Sequence, residues 1–427
     1  MKIAMVSEHA SPLAALGEPD AGGQNVYVKR LSETLAARGH EITVHTRRDS
    51  PHLPERAPLA DGATVAHVTA GPARPIPKDE LLGHMKEFSQ QLARAWHEDP
   101  PDVVHAHFWM SGMAALPATH GTGIPLVQTF HALGSVKRRE QGAGDSSPDE
   151  RVRVESHLGR AASDIVATCS DEETELVRMG VPRSQVTVVP CGVDAHRFRP
   201  GVTDTPGRVP PLRARHRLLA VGRLVPRKGF DQAVRAMAVL PSAELLIVGG
   251  PPAARLDDDA EARRLRELAK EYGVEDRVRL LGGLPHEELP ALLQSADLVL
   301  CTAWYEPFGI VPVEAMACGV PVVATRVGGY LDTVQDQQTG IHLPSHGPFA
   351  LGTTVRRLLA QPGLRRELGA AGRARVLERY TWDRVADGVE EVYVKAVARA
   401  GTGTPRLQPL GPPPGIRPVS RPVTGAA

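Results

Sequence analysis

A loop in the second half of the chain places two cations where a diphosphate could bind. Gly222 and Arg223 follow a short apolar run, and Lys228 precedes the next helix-like run, in the segment VGRLVPRKGF. Loops that follow parallel strands lie at the sheet edge where α/β proteins bind ligands. Arginine offers a planar fork of donors and lysine a compact charge, so the pair favours a phosphate-binding loop. The alternative is a solvated surface loop.

A second segment, WYEPFGIVPVEAMACG, adds two carboxylates and a helix start. Pro312 suits the first turn of a helix, because proline lacks the amide that would stay unpaired there. The backbone amides of residues 308–311 would then point towards a phosphate. Glu306 lies in the preceding loop, and Glu314 lies about one turn into the helix, where a carboxylate can accept hydrogen bonds from two ribose hydroxyls. The alternative is that Glu314 binds no ligand and is simply an acidic residue near the helix N-terminus, where the helix dipole favours negative charge.

Three features of the first half are weaker signals. Gly22 and Gly23 lie between the first strand and a helix start. A glycine pair there lets the backbone approach a phosphate closely, and the alternative is a plain turn. His131 follows a strand and is either catalytic or structural. His105 and His107 share one face of a strand, yet no third metal ligand is near them in sequence. We therefore expect these two histidines to form a pocket wall, and no metal site.

Short apolar runs alternate with helix-like runs, which predicts two Rossmann-like domains with parallel sheets facing a central cleft, an α/β fold. The domains span residues 1–198 and 217–380, and a Pro/Gly-rich linker at 199–216 separates them. A last helix is predicted over 381–398 and a disordered tail over 399–427. The predicted helix of 25–38 follows the first strand; the predicted strands are 2–6, 42–45, 102–105, 126–130, 165–168 and 186–189, then 218–221, 245–248, 278–281, 298–300 and 322–324.

Composition excludes several classes of protein. The 427 residues carry a net charge of +1, so no basic field indicates nucleic acid. The four cysteines show no C-x-x-C spacing, which favours reduced, buried thiols. No apolar stretch reaches the length of a membrane span, and the N-terminus lacks a signal peptide, so we expect a cytoplasmic protein. A homodimer is compatible with the sequence.

The motifs together resemble a known family. The segments DAGGQNVYV, PDVVHAHFWMSG, TFHALGSVKRR, VVPCGVD, VGRLVPRKG and EPFGIVPVEAMACG are similar to glycosyltransferase family four, of the GT-B fold, over about residues 1–395. Its nearest members by these motifs are sucrose-phosphate synthases, sucrose synthases and the inositol-phosphate N-acetylglucosaminyltransferase of mycothiol synthesis. The resemblance implies sugar transfer, with retained configuration, from a UDP-linked nucleotide diphosphate sugar, without metal or cofactor. It also implies that the last helix crosses back onto the first domain.

The resemblance implies roles for the matching donor-side residues. Arg223 and Lys228 would neutralise the diphosphate, and Glu314 would hold the ribose. Glu306 would hold the donor sugar. The backbone amides that would help Glu306 are those of Phe308, Gly309 and Ile310.

The remaining donor contacts come from separate loops. Gly23, next to Gly22, would offer its amide to the β-phosphate, and the loop around Leu284 would meet the base. His131 would face the sugar near the reacting centre. The catalytic group would thus comprise His131, Arg223, Lys228 and Glu306.

The acceptor is predicted to be a small phosphorylated sugar or polyol. Lys78 and Arg153 match the acceptor-phosphate positions of the relatives, with Lys137 in the same cleft, and Asn25 would bind an acceptor hydroxyl. Phe108 stands where the inositol-phosphate relatives usually have tyrosine, so one phosphate hydrogen bond would be missing. The alternative is that Lys78 and Arg153 are solvated charges. A lipid or polysaccharide acceptor stays open.

Two other classes of function use similar residues. A nucleotide-sugar epimerase of the same fold would need acids and bases on both sides of one sugar carbon. A sugar-nucleotide binding module would need no catalytic group. The presence of the whole G-R…K-G and E…E set favours transfer.

Overall fold

Two sheets form the framework of the computed structural model, which describes residues 1–14, 23–142, 147–201 and 209–401. The first sheet has the strand order β3-β4-β2-β1-β5-β6-β7-β8. Its strands are β1 (Lys2–Val6), β2 (Glu41–Arg47), β3 (Arg56–Ala60), β4 (Ala63–Val68), β5 (Val103–His107), β6 (Leu126–Thr129), β7 (Asp164–Ala167) and β8 (Val186–Val188).

The edge of this sheet differs from the all-parallel prediction. β3 pairs with β4 in the antiparallel sense, with Ala60 opposite Ala63. The two strands are joined by Asp61-Gly62, and Gly62 has a φ of 79°. Glycine adopts this positive φ without strain, so Asp61-Gly62 can form the tight turn of a hairpin. The first sheet is therefore mixed, because this hairpin adds one reversed strand at its edge.

The second sheet is parallel and has the order β11-β10-β9-β12-β13-β14. Its strands are β9 (His216–Val221), β10 (Ala243–Val248), β11 (Val278–Gly282), β12 (Leu298–Cys301), β13 (Val322–Ala324) and β14 (Gly340–His342). β10 is buried along its whole length, as expected for a strand covered by helices on both faces. β14 was not predicted, since three residues give no periodic signal. β9 begins at His216, one residue inside the predicted linker.

Helices cover both faces of the two sheets. They are α1 (Gly23–Ala37), α2 (Met85–Glu98), α3 (Trp109–Thr119), α4 (Gly134–Gln141), α5 (Arg151–Ala161), α6 (Ser170–Arg178), α7 (Phe230–Ala236), α8 (Ala260–Glu271), α9 (Leu289–Gln294), α10 (Ile310–Ala317), α11 (Tyr330–Thr333), α12 (Pro348–Leu359), α13 (Pro362–Arg379) and α14 (Trp382–Gly401). No described helix is both long and apolar enough to cross a membrane.

The last helix, α14, packs on the first domain. Its apolar face is buried, and the Tyr393 hydroxyl contacts His105 Nδ1 at 2.7 Å. The prediction that the helix ends at 398 was wrong by three residues. Arg399 lies 3.1 Å from the buried Asp164 carboxylate, an ion pair that favours continuation of the helix. Of the predicted tail, residues 402–427 lie outside the described part of the chain, as do residues 202–208 of the linker.

Each sheet reverses its strand order at one point, between β1 and β5 in the first and between β9 and β12 in the second. Loops that leave neighbouring strands at such a point diverge and open a crevice at the carboxyl edge. Here the two crevices face each other. The cleft between the domains is therefore built from the loops that the sequence motifs occupy.

Candidate active site

A cavity of about 570 Å³ lies between the two carboxyl edges and takes its walls from both domains. It brings together most residues that the sequence singled out. They are Gly23, Lys78, Phe108, His131, Gly222, Arg223, Lys228, Glu306, Phe308, Gly309 and Ile310. Gly22 lies outside the described residues.

The second-domain wall is a cationic loop that surrounds one carboxylate. Lys228 Nζ lies 2.5 Å from Glu306 Oε2. Burial would raise the pKa of Glu306, but the charge and hydrogen bond of Lys228, followed by the charges of Arg227 and Arg223, bring it below its ordinary value. Glu306 is thus an ionised hydrogen-bond acceptor held by cations, and it has no proton to donate at neutral pH.

Arg223 is open to solvent within this cleft, although surrounding protein partly desolvates its guanidinium. This desolvation, together with the neighbouring charge of Arg227, lowers the pKa of Arg223 from its usual value. An arginine remains charged under such conditions. Two positive charges crowded beside each other favour a ligand that brings negative charge.

Two helix starts face each other across the cleft. α10 begins after Gly309, whose φ of 88° suits glycine. The first amides of a helix have no partner within it and are available to an anion. A Cβ atom on Gly23, at the start of α1, would lie 3.3 Å from Ile310 Cδ1. The starts of α1 and α10 therefore approach closely, and both line the cavity.

His131 lies at the cavity wall in an unusual backbone conformation, with a φ of 61°. Its Nε2 is 3.1 Å from Nδ1 of His107. Burial, then the charges of His105, His9 and Lys78, lower the pKa of His131 to about 3. His131 is consequently neutral at physiological pH and offers a hydrogen bond, without a positive charge.

The first-domain wall is an aromatic surface between two cations. Lys78 Nζ lies 3.7 Å from the centre of the Phe108 ring, and the Arg151 guanidinium carbon lies 5.0 Å from it. Lys137 and Ser147 complete this wall, with the Ser147 hydroxyl 3.0 Å from Lys137 Nζ and 3.1 Å from Arg151 Nη1. This polar, cationic pocket suits an anion.

Arg153 is not part of this wall. It is exposed on α5, whereas Arg151, two positions earlier, is 4% exposed and lines the cavity. Residues two apart on a helix point in nearly opposite directions, which explains why only one of them reaches the cleft. Arg151 is held there by Glu155 Oε1 at 2.7 Å and by the carbonyl of Ala132 at 2.6 Å.

Three other predicted residues lie outside the main cavity. Asn25 is buried and donates from Nδ2 to the carbonyl of Ser11 at 2.9 Å. Glu314 lines a second, small cavity, where its Oε1 lies 2.6 Å from Nε2 of His286. Leu284 packs against the core and lines neither cavity. A ribose at Glu314 would compete with the His286 contact.

Sequence reasoning missed many residues of the main cavity, and four of them make polar contacts there. Arg227 and Tyr305 adjoin Lys228 and Glu306, and the Arg227 guanidinium donates to the carbonyl of Tyr305. Arg151 and Ser147 were also missed, although Arg151 differs from the predicted arginine by only two positions. Helical phase within α5 would have separated the two arginines. Among the described residues, no group of three or more His, Cys, Asp or Glu side chains could hold a metal ion.

Comparisons with known proteins agree with this geometry. Residues 212–375 match the family model described as Glycosyl transferases group 1, and residues 21–197 match Glycosyltransferase Family 4. D-inositol 3-phosphate glycosyltransferases from Acidothermus cellulolyticus and Salinispora arenicola are 39% and 36% identical. Both alignments cover 95% of this chain, with 93% and 94% of the relatives.

The solved structures show the same architecture. Sucrose-phosphate synthase from Thermosynechococcus elongatus superposes with a TM-score of 0.82 at 33% identity, covering 93% of this chain and 99% of that one. Anabaena HepE in complex with UDP gives a TM-score of 0.73 at 21% identity over 92% and 100%, a likeness in fold alone.

Two α/β domains around a cleft with anion-binding loops define a GT-B glycosyltransferase. The chain belongs to glycosyltransferase family 4 and is an enzyme of sugar transfer. This confirms the predicted fold and family. The relatives above 30% identity are named as glycosyltransferases or as a synthase, which favours transfer over the epimerase and the binding module.

Proposed function

We propose that the protein transfers a hexosyl group, with retention, from a nucleotide diphosphate sugar to a small phosphorylated sugar or polyol. The observation that carries the proposal is one cavity with two separate cationic walls. One wall, in the second domain, contains Arg223, Arg227 and Lys228; the other, in the first domain, contains Lys78 and Arg151. Two anionic groups can then be bound at once, one on each side of the reacting carbon.

The donor diphosphate lies against the second-domain wall in this proposal. Arg223 and Lys228 neutralise it, and the first amides of α10 bind its oxygens. Glu306 accepts hydrogen bonds from the sugar hydroxyls, since its low pKa keeps it ionised. Glu314 binds the ribose hydroxyls after its hydrogen bond with His286 is broken. The uridine base is proposed from the family resemblance.

The transfer step breaks the bond between the anomeric carbon and the leaving phosphate oxygen. The acceptor oxygen bonds to the same face of that carbon, and its proton passes to the leaving phosphate. The product is a glycoside with retained configuration and a nucleoside diphosphate. Arg223 and Lys228 stabilise the charge that develops on the phosphate, so neither a metal ion nor a carboxylate nucleophile is required.

The acceptor phosphate lies between Lys78 and Arg151 in this proposal. The curated relatives are named for an inositol phosphate, and the structural relative for a sucrose phosphate. Phe108 supplies a ring face where a tyrosine would supply a hydroxyl, while Ser147 supplies a hydroxyl nearby. We therefore place this chain among phosphate-acceptor enzymes without assigning it either named acceptor.

The proposal is tested by incubating UDP-sugars with a panel of phosphorylated sugars and polyols in excess EDTA. Mass spectrometry should detect a glycosylated phosphate ester, and the anomeric proton coupling of the product should show the donor's configuration. An inverted product would overturn retention. Loss of activity in EDTA, restored by Mg²⁺ or Mn²⁺, would overturn metal-independent transfer.

A further inference from the structure

β5 carries two histidines whose side chains share one face of the strand and which the proposed transfer step does not use. His107 is fully buried, and its Nδ1 lies 3.1 Å from Nε2 of His131. The two rings are nearly parallel, with an interplanar angle of 28° and centroids 5.3 Å apart. His107 therefore contacts His131, which lines the candidate active site.

His107 and His131 are both neutral at physiological pH. Burial lowers the pKa of His131 to about 3 and that of His107 well below its usual value. A neutral imidazole has one N–H and one bare nitrogen, so exactly one member of the pair donates the shared hydrogen bond. Two arrangements of the protons are therefore available.

The other nitrogen of His107 distinguishes these arrangements. Nε2 of His107 is buried and has no hydrogen-bond partner among the described protein residues. If His131 were the donor, this Nε2 would carry a proton with no protein acceptor. If His107 donates from Nδ1, its Nε2 is a bare acceptor. Buried N–H groups without partners are rarer than buried acceptors without them.

The position of the His107 ring is fixed by its neighbours. The ring of His105 lies beneath it, with centroids 4.1 Å apart. His105 is itself held from both sides, by the Tyr393 hydroxyl of α14 at 2.7 Å and the Thr129 hydroxyl at 2.8 Å. Tyr27 packs against both His107 and His131. Rotation of His107 away from His131 is thus opposed by packing.

We infer that His107 is a positioning residue, which donates Nδ1–H to His131 Nε2 and so holds His131 with its proton on Nδ1. Nδ1 is then the nitrogen left for a ligand, and it presents a donor. The acceptor of this Nδ1–H would be a hydroxyl of the donor sugar, and this part of the inference rests on the proposed function. The tautomer itself is a property of the unliganded protein.

The test is the tautomer of His131, read from long-range ¹H–¹⁵N correlations of the labelled protein and assigned by comparison with His131→Ala. We expect Nδ1 to carry the proton. His107→Asn keeps an N–H close to the position of Nδ1, so it should preserve this tautomer. His107→Leu removes the hydrogen bond that favours the Nδ1–H tautomer of His131, so the fraction of His131 protonated on Nδ1 should fall. His45→Leu is the matched control, because His45 is buried on β2 against Trp96, away from the cavity.

Kinetics with the donor and acceptor found by the screen give the second readout. His107→Leu should lower kcat on the order of 10-fold with acceptor KM unchanged, as for loss of an outer hydrogen-bond partner, and His107→Asn should recover most of it. A wild-type His131 protonated on Nε2, or an unchanged tautomer in His107→Leu, would overturn the inference. Absence of transferase activity with the expected tautomer would count against the proposed function alone.

Discussion

Lys228 and Glu306 form a mostly buried ion pair, in which each side chain compensates the charge of the other. Lys228 is 13% and Glu306 14% exposed at the side chain, so an unpaired partner would be poorly solvated. A carboxylate left alone in such a site is costly, because burial favours its neutral form. Under the proposed function, the pair supplies both a phosphate-binding cation and a hydroxyl-binding anion before substrate binds.

Replacing Lys228 with Met should reduce kcat by roughly 10²-fold or more, by analogy with loss of one preorganised donor. It should also change the pH dependence of stability. The lowered pKa of Glu306 contributes stability that is present above its unfolded value and is lost as pH falls through the folded one. In the variant the charge and hydrogen bond of Lys228 are lost, so the pKa of Glu306 should rise relative to wild type.

The difference in melting temperature between wild type and Lys228→Met should therefore be largest at neutral pH and should narrow in acid. Thermal melts between about pH 4 and 8 measure it. Lys270→Met, on the exposed face of α8, is the control. A constant difference across this range would contradict the assigned role of Lys228.

Lys78 is tested in place of Arg151, because Arg151 also binds the buried Glu155 carboxylate and the carbonyl of Ala132. Lys78→Met should raise acceptor KM by about 10-fold or more, the effect of one charge-assisted hydrogen bond, with donor KM unchanged. Lys86→Met, on the exposed side of α2, should leave both constants unchanged. An unchanged acceptor KM in Lys78→Met would remove Lys78 from the acceptor site.

At the scale of elements, the start of α10 depends on one glycine. Gly309 has a φ of 88°, and a Cβ there would lie 2.7 Å from Cδ1 of Tyr330. Strain and this contact together predict that Gly309→Ala destabilises the protein by about 1–3 kcal/mol and weakens donor binding. The turn at Gly309, whose following amides would bind the donor phosphate, would have to move.

Gly363→Ala is the matched control for Gly309→Ala. Gly363 lies in α13 with no atom within 4 Å of its added Cβ, so alanine there should stabilise by about 0.5–1 kcal/mol. Urea unfolding and donor titration by calorimetry measure both effects. Equal stability of the two variants would contradict the strain assigned to Gly309.

Sequence periodicity located most elements because most strands of the two sheets are buried and largely apolar. It missed β3, which contains an arginine and a proline, and β4, which mixes small and polar residues with two valines. It located the second-domain loops that line the cavity, since their motifs are contiguous in sequence. It placed Arg153 in the cleft instead of Arg151, because no contiguous motif surrounds Arg151 and only helical phase separates it from Arg153. The His107–His131 contact joins the end of β5 to the loop after β6 and could not be read from either segment alone.

At the scale of the molecule, the two domains touch at several points around the cleft. Asp332 of the second domain accepts hydrogen bonds from the backbone amide and hydroxyl of Ser170, at 2.6 and 2.5 Å. The Cys169 thiol lies 3.1 Å from the carbonyl of Pro307. These contacts, with that of Gly23 and Ile310, hold the domains close together, and we expect the domains to close on the donor.

Asp332→Ala removes the two hydrogen bonds to Ser170 and should favour a more open arrangement. Small-angle scattering with saturating UDP-sugar should then give a larger radius of gyration for the variant than for wild type, and donor hydrolysis should increase because closure excludes water. Asp276→Ala, whose carboxylate is 75% exposed, is the control. Absence of any compaction in wild type would contradict closure.

The central claim is that one cavity binds a donor diphosphate on one wall and an acceptor phosphate on the other. Its most direct test compares kcat/KM for the acceptor identified by the screen with that for its dephosphorylated form, at fixed donor concentration. Lys78 and Arg151 predict a preference for the phosphorylated form on the order of 10²-fold, since each charged hydrogen bond contributes about 1.5–3 kcal/mol. Equal kcat/KM values for the two acceptors would contradict the claim.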